Sequence, residues 1–342
     1  MILSDKKKLS FPLRSTIVIL GLSGLLLCIT SCQKENKAVG PPEKITIAYS
    51  TAANSILVYV AFAKGYFTEE GLDATPQPHD FGKLALDAVI EDRADLGTSA
   101  DTPIVLAVMN GQKITTIAVI QTSNKDNAIV ARQDRDIKKP SDLRGKTIGV
   151  TLGTNADFFA GAFLLANGID RKKVKIIDVK PDAMAAALSA GRVDAVSTFN
   201  PTIILLKKEL GNRGIVFFGE SIYTENFCVA AMQDYVKRHP ETIKKVLRAL
   251  IRAETFVQQN PGEVRRLVAD FVKMDKVLLD EIWPIYSARV SLDQALLVDF
   301  EDQARWALKK RLTVSDQMPN YLDFIYIDGL RAVKPEAVRI LR

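Results

Sequence analysis

The sequence predicts an α/β fold of two related lobes, with parallel-rich sheets and a helical C-terminal region. Three observations carry this. Short β-rich runs alternate with helical runs from Lys44 to Phe218, the pattern of parallel strands joined by helices. The first block of that alternation returns in the second at a nearly fixed offset. From Glu241 onward the periodicity is almost wholly helical.

In chain order, the first block holds strands at Lys44–Tyr49, Leu72–Thr75, Leu96–Thr98 and Ile114–Ile120. Helices fall between them near Ser55–Lys64, Lys83–Glu91 and Pro103–Asn110. The second block holds strands at Thr147–Val150, Val174–Asp178, Ala195–Ser197 and Ile215–Phe218. Its helices lie near Ala156–Asn167, Ala183–Ala190 and Thr202–Leu210. Thr46-Ile47-Ala48-Tyr49 with Asn54 matches Thr147-Ile148-Gly149-Val150 with Asn155 at an offset of 101, and Ala61-Phe62 matches Ala162-Phe163. Arg93-Ala94-Asp95 matches Arg192-Val193-Asp194 at an offset of 99, placing Asp101 opposite Asn200. In the tail, Val246, Leu247, Leu250, Ile251 and Val257 recur at helical spacing until Asn260-Pro261-Gly262 breaks the run.

The N-terminus carries a different signal. Lys6-Lys7-Lys8 precedes an apolar run from Ile17 to Ile29, 13 residues long. That is the length of a signal-peptide core and short of the ~20 residues that span a bilayer. Ile29-Thr30-Ser31 before Cys32 resembles the lipobox of bacterial lipoproteins. The resemblance implies cleavage before Cys32, lipid on that cysteine, and a membrane-anchored protein of the cell envelope facing the periplasm or the exterior. Residues 1–31 are then the signal peptide and residues 32–43, ending on Pro41-Pro42-Glu43, a tether.

Composition narrows the function. The whole chain has 46 basic and 40 acidic residues, but removing residues 1–31 leaves 42 against 39, a balance of only +3. The basic residues are scattered among acids, so no nucleic-acid partner is expected. With Cys28 removed and Cys32 carrying lipid, only Cys228 remains as a thiol, which excludes an internal disulfide. With His79 and His239 far apart in sequence and no Cys/His cluster, no metal and no cofactor are expected.

In open α/β sheets, ligands bind beyond the carboxyl ends of the strands. The loops there carry Thr51, Asn54, Phe81, Gly82, Ser99, Asp101, Thr154, Asn155, Asp182, Phe199 and Asn200. Asn54 and Asn155 stand at helix starts, where unpaired N–H groups favour an anion. Either asparagine can also serve as a cap for its own helix. Thr51, Ser99 and Thr154 offer hydroxyls. Phe81 and Phe199 suit an apolar wall or the core. Asp101, Asp182 and Asn200 suit polar contacts or caps, and the two acids would repel an anion if they pointed inward unpaired. The direction of Lys83 is left open. No nucleophile with a base and an orienting partner is visible.

Ala61-Phe62-Ala63-Lys64-Gly65-Tyr66-Phe67, followed by Glu70-Gly71-Leu72, resembles periplasmic solute-binding proteins for nitrate, aliphatic sulfonates and taurine. The same superfamily includes binders of a thiamine-precursor pyrimidine. Asp101-Thr102-Pro103, Asp142-Leu143-Arg144-Gly145-Lys146 and Gly191-Arg192-Val193-Asp194-Ala195 fit the pattern in order. The resemblance implies a type II periplasmic-binding-protein clamshell crossed twice by the chain, near Ala128–Arg132 and Glu225–Val229. Lobe 1 would be residues 44–128 with 225–342 returning, and lobe 2 residues 132–224. It also implies a monomeric, non-enzymatic receptor that delivers a small solute to the permease and ATPase subunit of an ABC importer. Phe199-Asn200-Pro201 replaces the Trp-Asp-Pro of many sulfonate and taurine binders, which removes a carboxylate that would meet a ligand amine. The alternatives are a pyrimidine binder, a related enzyme of the same fold, or a solute-sensing subunit.

Overall fold

The computed structural model describes residues 41–341. The signal segment 1–31, Cys32 and tether residues 33–40 lie outside the described residues. No helix among those described is long and apolar enough to cross a membrane.

The strands are β1 (Glu43–Ser50), β2 (Leu72–His79), β3 (Leu96–Ala100), β4 (Ile114–Ser123), β5 (Asn127–Arg132), β6 (Thr147–Val150), β7 (Lys175–Asp178), β8 (Ala195–Phe199), β9 (Gly214–Phe218), β10 (Glu225–Met232), β11 (Ser287–Asp293) and β12 (Val338–Arg339). Between them run α1 (Ile56–Ala63), α2 (Tyr66–Glu69), α3 (Gly82–Ile90), α4 (Asp101–Met109), α5 (Asn155–Ala166), α6 (Met184–Ser189) and α7 (Thr202–Leu210). After β10 come α8 (Gln233–Arg238), α9 (Pro240–Gln259), α10 (Pro261–Val272), α11 (Lys276–Ile282), α12 (Gln294–Lys310) and α13 (Ile327–Val333).

Two mixed sheets result. One has the order β12-β11-β4-β10-β3-β1-β2 and the other β7-β6-β8-β5-β9. In each, a parallel trio comes first: β1 lies between β2 and β3, as β6 lies between β7 and β8. An antiparallel strand then joins the trio, β10 on β3 and β5 on β8. Each of these is the strand with which the chain arrives from the other sheet. The chain passes between sheets over residues 124–126 and 219–224, so Ala128–Arg132 and Glu225–Val229 lie within strands just after the crossings.

The sequence echo has a structural counterpart. Thr46 N–H donates to Asp95 Oδ2 at 2.7 Å, and Thr147 N–H donates to Asp194 Oδ2 at 2.9 Å. Each aspartate N–H donates back to the same threonine's carbonyl, at 3.0 and 2.8 Å. The repeated Arg-x-Asp thus braces the first strand of each sheet in the same way.

The seven-stranded sheet has one large core that takes in α1, α3, α4, α9 and α12, with Tyr59, Phe67, Phe227 and Phe300 among its buried rings. The five-stranded sheet has a core on each face. Phe159, Phe163 and Leu164 of α5 pack on one, and Met184, Ile203 and Leu206 of α6 and α7 on the other. β2 runs to His79, past the expected end at Thr75, and carries Pro76 and Pro78. It is an edge strand, where a missing N–H costs no ladder bond. β11 is a strand inside the segment expected to be helical.

Candidate functional site

The carboxyl ends of both parallel trios meet around one pocket. Ser50, Asn54, Phe81, Gly82, Ala100 and Pro103 come from the first sheet and its loops, and Thr154, Asn155 and Phe199 from the second. Phe81 and Phe199 face each other across it, ring centroids 6.4 Å apart. The remaining space is about 10 Å³, room for about one water. The cleft is shut.

Local structure explains the approach. Ser50 and Ser55 are tied to Thr98 Oγ1 at 3.0 and 3.1 Å, which fixes the loop ahead of α1. Asn54 is buried there, and its Oδ1 has no partner. Gly82 starts α3 where a Cβ would lie 3.0 Å from both Phe227 Cζ and Ser99 Cα. A side chain there would need the Phe227 ring and the Ser99 backbone to give way. Gly153, with φ +72°, turns the chain into α5 and lies against the Lys83 stem. Lys83, whose direction the sequence left open, lines the pocket and forms an ion pair with Asp87 at 2.7 Å.

Of the eleven sequence candidates, the pocket gathers Asn54, Phe81, Gly82, Thr154, Asn155 and Phe199. Thr51, Ser99, Asp101, Asp182 and Asn200 do not line it, each for a visible reason. Thr51 is half-buried and held in the loop, its N–H bonded to the His79 carbonyl at 2.8 Å. Ser99 lies in β3, fully buried behind Gly82, its Oγ without a partner. Asp182 is exposed in the short turn Pro181–Ala183. Asn200 is buried and bonds through its N–H to the Asp126 carbonyl at 3.2 Å.

Asp101 turns away from the pocket. It is fully buried at the start of α4 and accepts from the Tyr223 hydroxyl and from Asn226 N–H at 3.1 Å and Nδ2 at 3.2 Å. It therefore joins α4 to the returning crossing. Asn155 has a similar double attachment. Its Nδ2 donates to Asn127 Oδ1 at 2.9 Å and to the Glu225 carboxylate, and Asn127 Nδ2 donates to the same carboxylate at 2.8 Å. Thr154 Oγ1 donates to the Thr151 carbonyl at 2.7 Å, so its proton is already committed.

Sequence reasoning missed this network at the crossings. Asp126, Asn127, Tyr223, Glu225 and Asn226 are buried where the chain passes between sheets. Asp126 accepts from the Tyr286 hydroxyl at 2.6 Å. Burial pushes the carboxyls of Asp101, Asp126 and Glu225 upward, and neighbouring acids push Glu225 further. No lysine or arginine pairs with these three among the described residues. The available signal was polar density at the crossings, in Lys125-Asp126-Asn127 and Thr224-Glu225-Asn226.

Nucleophilic chemistry finds little support here. Cys228 is fully buried and its thiol is pushed up by burial, which leaves little thiolate. His79 is pushed down by burial, and its Nε2 is unpartnered. Among the described residues no three His, Cys, Asp or Glu side chains gather as a metal site.

The sequence pattern of the family described as NMT1/THI5 like matches residues 52–264, more than half of the chain. The chain belongs to this family. Within reach of the NMT1/THI5-like chain is a putative binding protein of Brucella abortus, 26% identical over 228 residues, 65% of this chain and 69% of that one. A putative aliphatic sulfonates-binding protein of Bacillus subtilis is 24% identical over 291 residues, 81% of this chain and 86% of that one. In fold, the chain is similar to the periplasmic aliphatic sulphonate binding protein of Escherichia coli. The TM-score is 0.72 at 17% identity, covering 84% of this chain and 98% of that one. The fold is the expected periplasmic-binding-protein architecture, and the relatives and the structural neighbour named here are binding proteins.

Proposed function

We propose that this protein is a lipid-anchored extracytoplasmic receptor of an ABC importer that captures a compact anion, an oxyanion or sulfonate, and hands it to a membrane permease. The observation that carries the reading is the meeting of Asn54, Phe81 and Gly82 with Thr154, Asn155 and Phe199 in one shut cleft. In this reading, residues 44–128 with 225–342 form one lobe and 132–224 the other. Because the cleft holds only about one water's volume, a solute enters with the lobes apart, and the lobes then close on it to a cleft wider than this one.

The chemistry of the lining supports an anion. The starts of α3 and α5 both border the pocket, and helix N-termini carry unpaired N–H groups and partial positive charge. Lys83 stands at the rim with its charge shared with Asp87 at 2.7 Å. Neither Asp101 nor Asp182 lines the pocket to oppose it. Phe81 and Phe199 suit a short apolar tail. The names of the sulfonate-binding relatives agree with this chemistry. The facing phenyl rings also suit a flat heterocycle, which keeps a pyrimidine as the second reading. Lipid on Cys32, the position facing the envelope and the permease partner rest on the N-terminal sequence and the family.

Calorimetry with nitrate, ethanesulfonate, taurine and an aminopyrimidine tests the solute class. Binding of an anion that weakens in Asn155→Leu supports the reading. Tight binding of the aminopyrimidine with no response to any anion moves the assignment to the second reading. For the anchor, mass analysis of the membrane-purified N-terminus is decisive, since an unmodified Cys32 would rule lipidation out.

A further inference from the structure

A second cavity, of about 490 Å³, lies behind the crossing segments. Asp101 stands between it and the cleft. Ala100 and Pro103, on either side of Asp101, line the cleft, whereas its bonding partners Tyr223 and Asn226 line the second cavity. One side of the cavity belongs to α12 and β11. The other is formed by the returning segment 219–224 and by Phe158 of α5. An occupant would touch the bodies of both sheets.

The walls are acidic, and the acids differ. Glu220 is paired with Lys125 at 3.1 Å, Asp302 with Arg305, and Asp293 approaches Arg339 at 3.9 Å. Asp299 has no cation partner among the described residues. Among the described residues it accepts from Asn226 Nδ2, at 2.8 Å. Burial first, and the Asp101 charge second, push its carboxyl up to about 6. Above neutrality it is still a carboxylate, and it is uncompensated.

An independent feature points to a polar ligand. Gln303, one turn along α12 from Asp299, lines the same cavity and is 0% exposed. Its amide neighbours Asp101 and eases that carboxyl downward, yet neither its nitrogen nor its oxygen completes a hydrogen bond. Buried amides without partners are uncommon, so Gln303, with donor and acceptor both open, asks for a polar ligand, and the uncompensated Asp299 carboxylate one turn away selects a cation. An ammonium group offers three such donors. An anion would meet four carboxylates, and no cluster of metal-ligating side chains exists among the described residues. Phe158, Tyr223 and Leu296 leave apolar surface for a short carbon chain.

We propose that this cavity binds a small organic cation bearing a primary ammonium group, held by Asp299 and Gln303. The site is separate from the solute cleft and stands whether or not the anion reading holds. The test is calorimetry on the full chain in detergent at mildly alkaline pH, with butylammonium and 1,4-diaminobutane as probes and butan-1-ol and butyrate as uncharged and anionic counterparts. One or both amines should bind, and the alcohol and butyrate should not. Asp299→Asn and Gln303→Leu should each weaken the amine by at least about tenfold, the loss expected when one partner of a buried charged contact is removed. Glu220→Gln, where Lys125 already neutralises the carboxylate, should change it by less than about twofold. Circular dichroism checks folding, and if Gln303→Leu fails to fold, the isosteric Asp299→Asn decides alone. No amine heat at millimolar concentration, equal binding of butan-1-ol, or unchanged affinity in Asp299→Asn would overturn the proposal.

Discussion

Asn155 shows how one side chain serves fold and site together. It lines the cleft at the start of α5, while its amide holds Asn127 and Glu225 at the two crossings. Asn155→Leu removes a donor from two buried acceptors, and an orphaned buried group costs about 1–3 kcal/mol. Chemical denaturation should show a loss of that size, together with weaker solute binding. A variant that keeps wild-type stability would mean that these bonds are replaced by water. Gly82 tests packing rather than polarity. In Gly82→Ala the new Cβ would meet Phe227 and the Ser99 backbone at 3.0 Å, and backbone cannot rotate aside. Overpacking of this kind costs about 1–3 kcal/mol, so the melting temperature should fall. At this scale the sequence located loops better than side-chain directions. Asp101 and Asp182 both sit beyond strand ends, yet one turns inward to Tyr223 and Asn226 and the other outward to solvent. Position in a βα loop says nothing of which partner a carboxylate will find.

The elements at the crossings carry the buried acids, and these link stability to pH. Asp126, just before β5, is raised from the usual carboxylate value of 3.8 to about 7, chiefly by burial, and Glu225 at the start of β10 is raised as well. A carboxyl raised in the folded state holds its proton longer there than in the unfolded chain. Over that window the folded form binds more protons, so Asp126 makes stability fall as pH rises from about 4 to about 7, and the raised Glu225 adds to the fall. Glu225→Gln can still accept from Asn127 and Asn155 but removes the like charge beside Asp126. Its denaturation midpoint should therefore fall less than that of wild type between mildly acid and mildly alkaline pH. Parallel slopes for the two proteins would refute the linkage. The same crossings explain where element prediction fell short. β5 and β10 are extended because the chain runs straight from one sheet into the next, and in sequence such a run looks like a connector. β11 was hidden in a helical stretch, although Ala288, Val290 and Leu292 alternate as a strand should. By contrast, the strands and helices of both parallel trios were legible, because each pairs a short β-rich run with a helix of its own.

At the scale of the molecule, two sheets of matching strand order present their loops to each other, and the offset repeat in the sequence anticipates that symmetry. What the sequence could not convey is how firmly the two bodies hold together. One such contact lies away from the cleft. Trp306 of α12 packs edge-on against Phe158 of α5, centroids 5.5 Å apart, and sits so close to Gly161 that a Cβ there would be 2.7 Å from its indole nitrogen. α12 belongs to the core of the seven-stranded sheet and α5 to that of the five-stranded sheet, so the indole bridges the bodies. It does not line the cleft. If the shut form is one of two states, removing the bridge should shift the balance toward the open one, and apparent affinity falls with the fraction of protein able to close. Trp306→Ala is therefore expected to weaken solute binding without losing a solute contact. X-ray scattering should show a larger radius of gyration than wild type without solute, and the same compact radius for both at saturating solute. An affinity loss with no change in radius would place the defect inside the folded bodies, and the bridge would then have no part in closure.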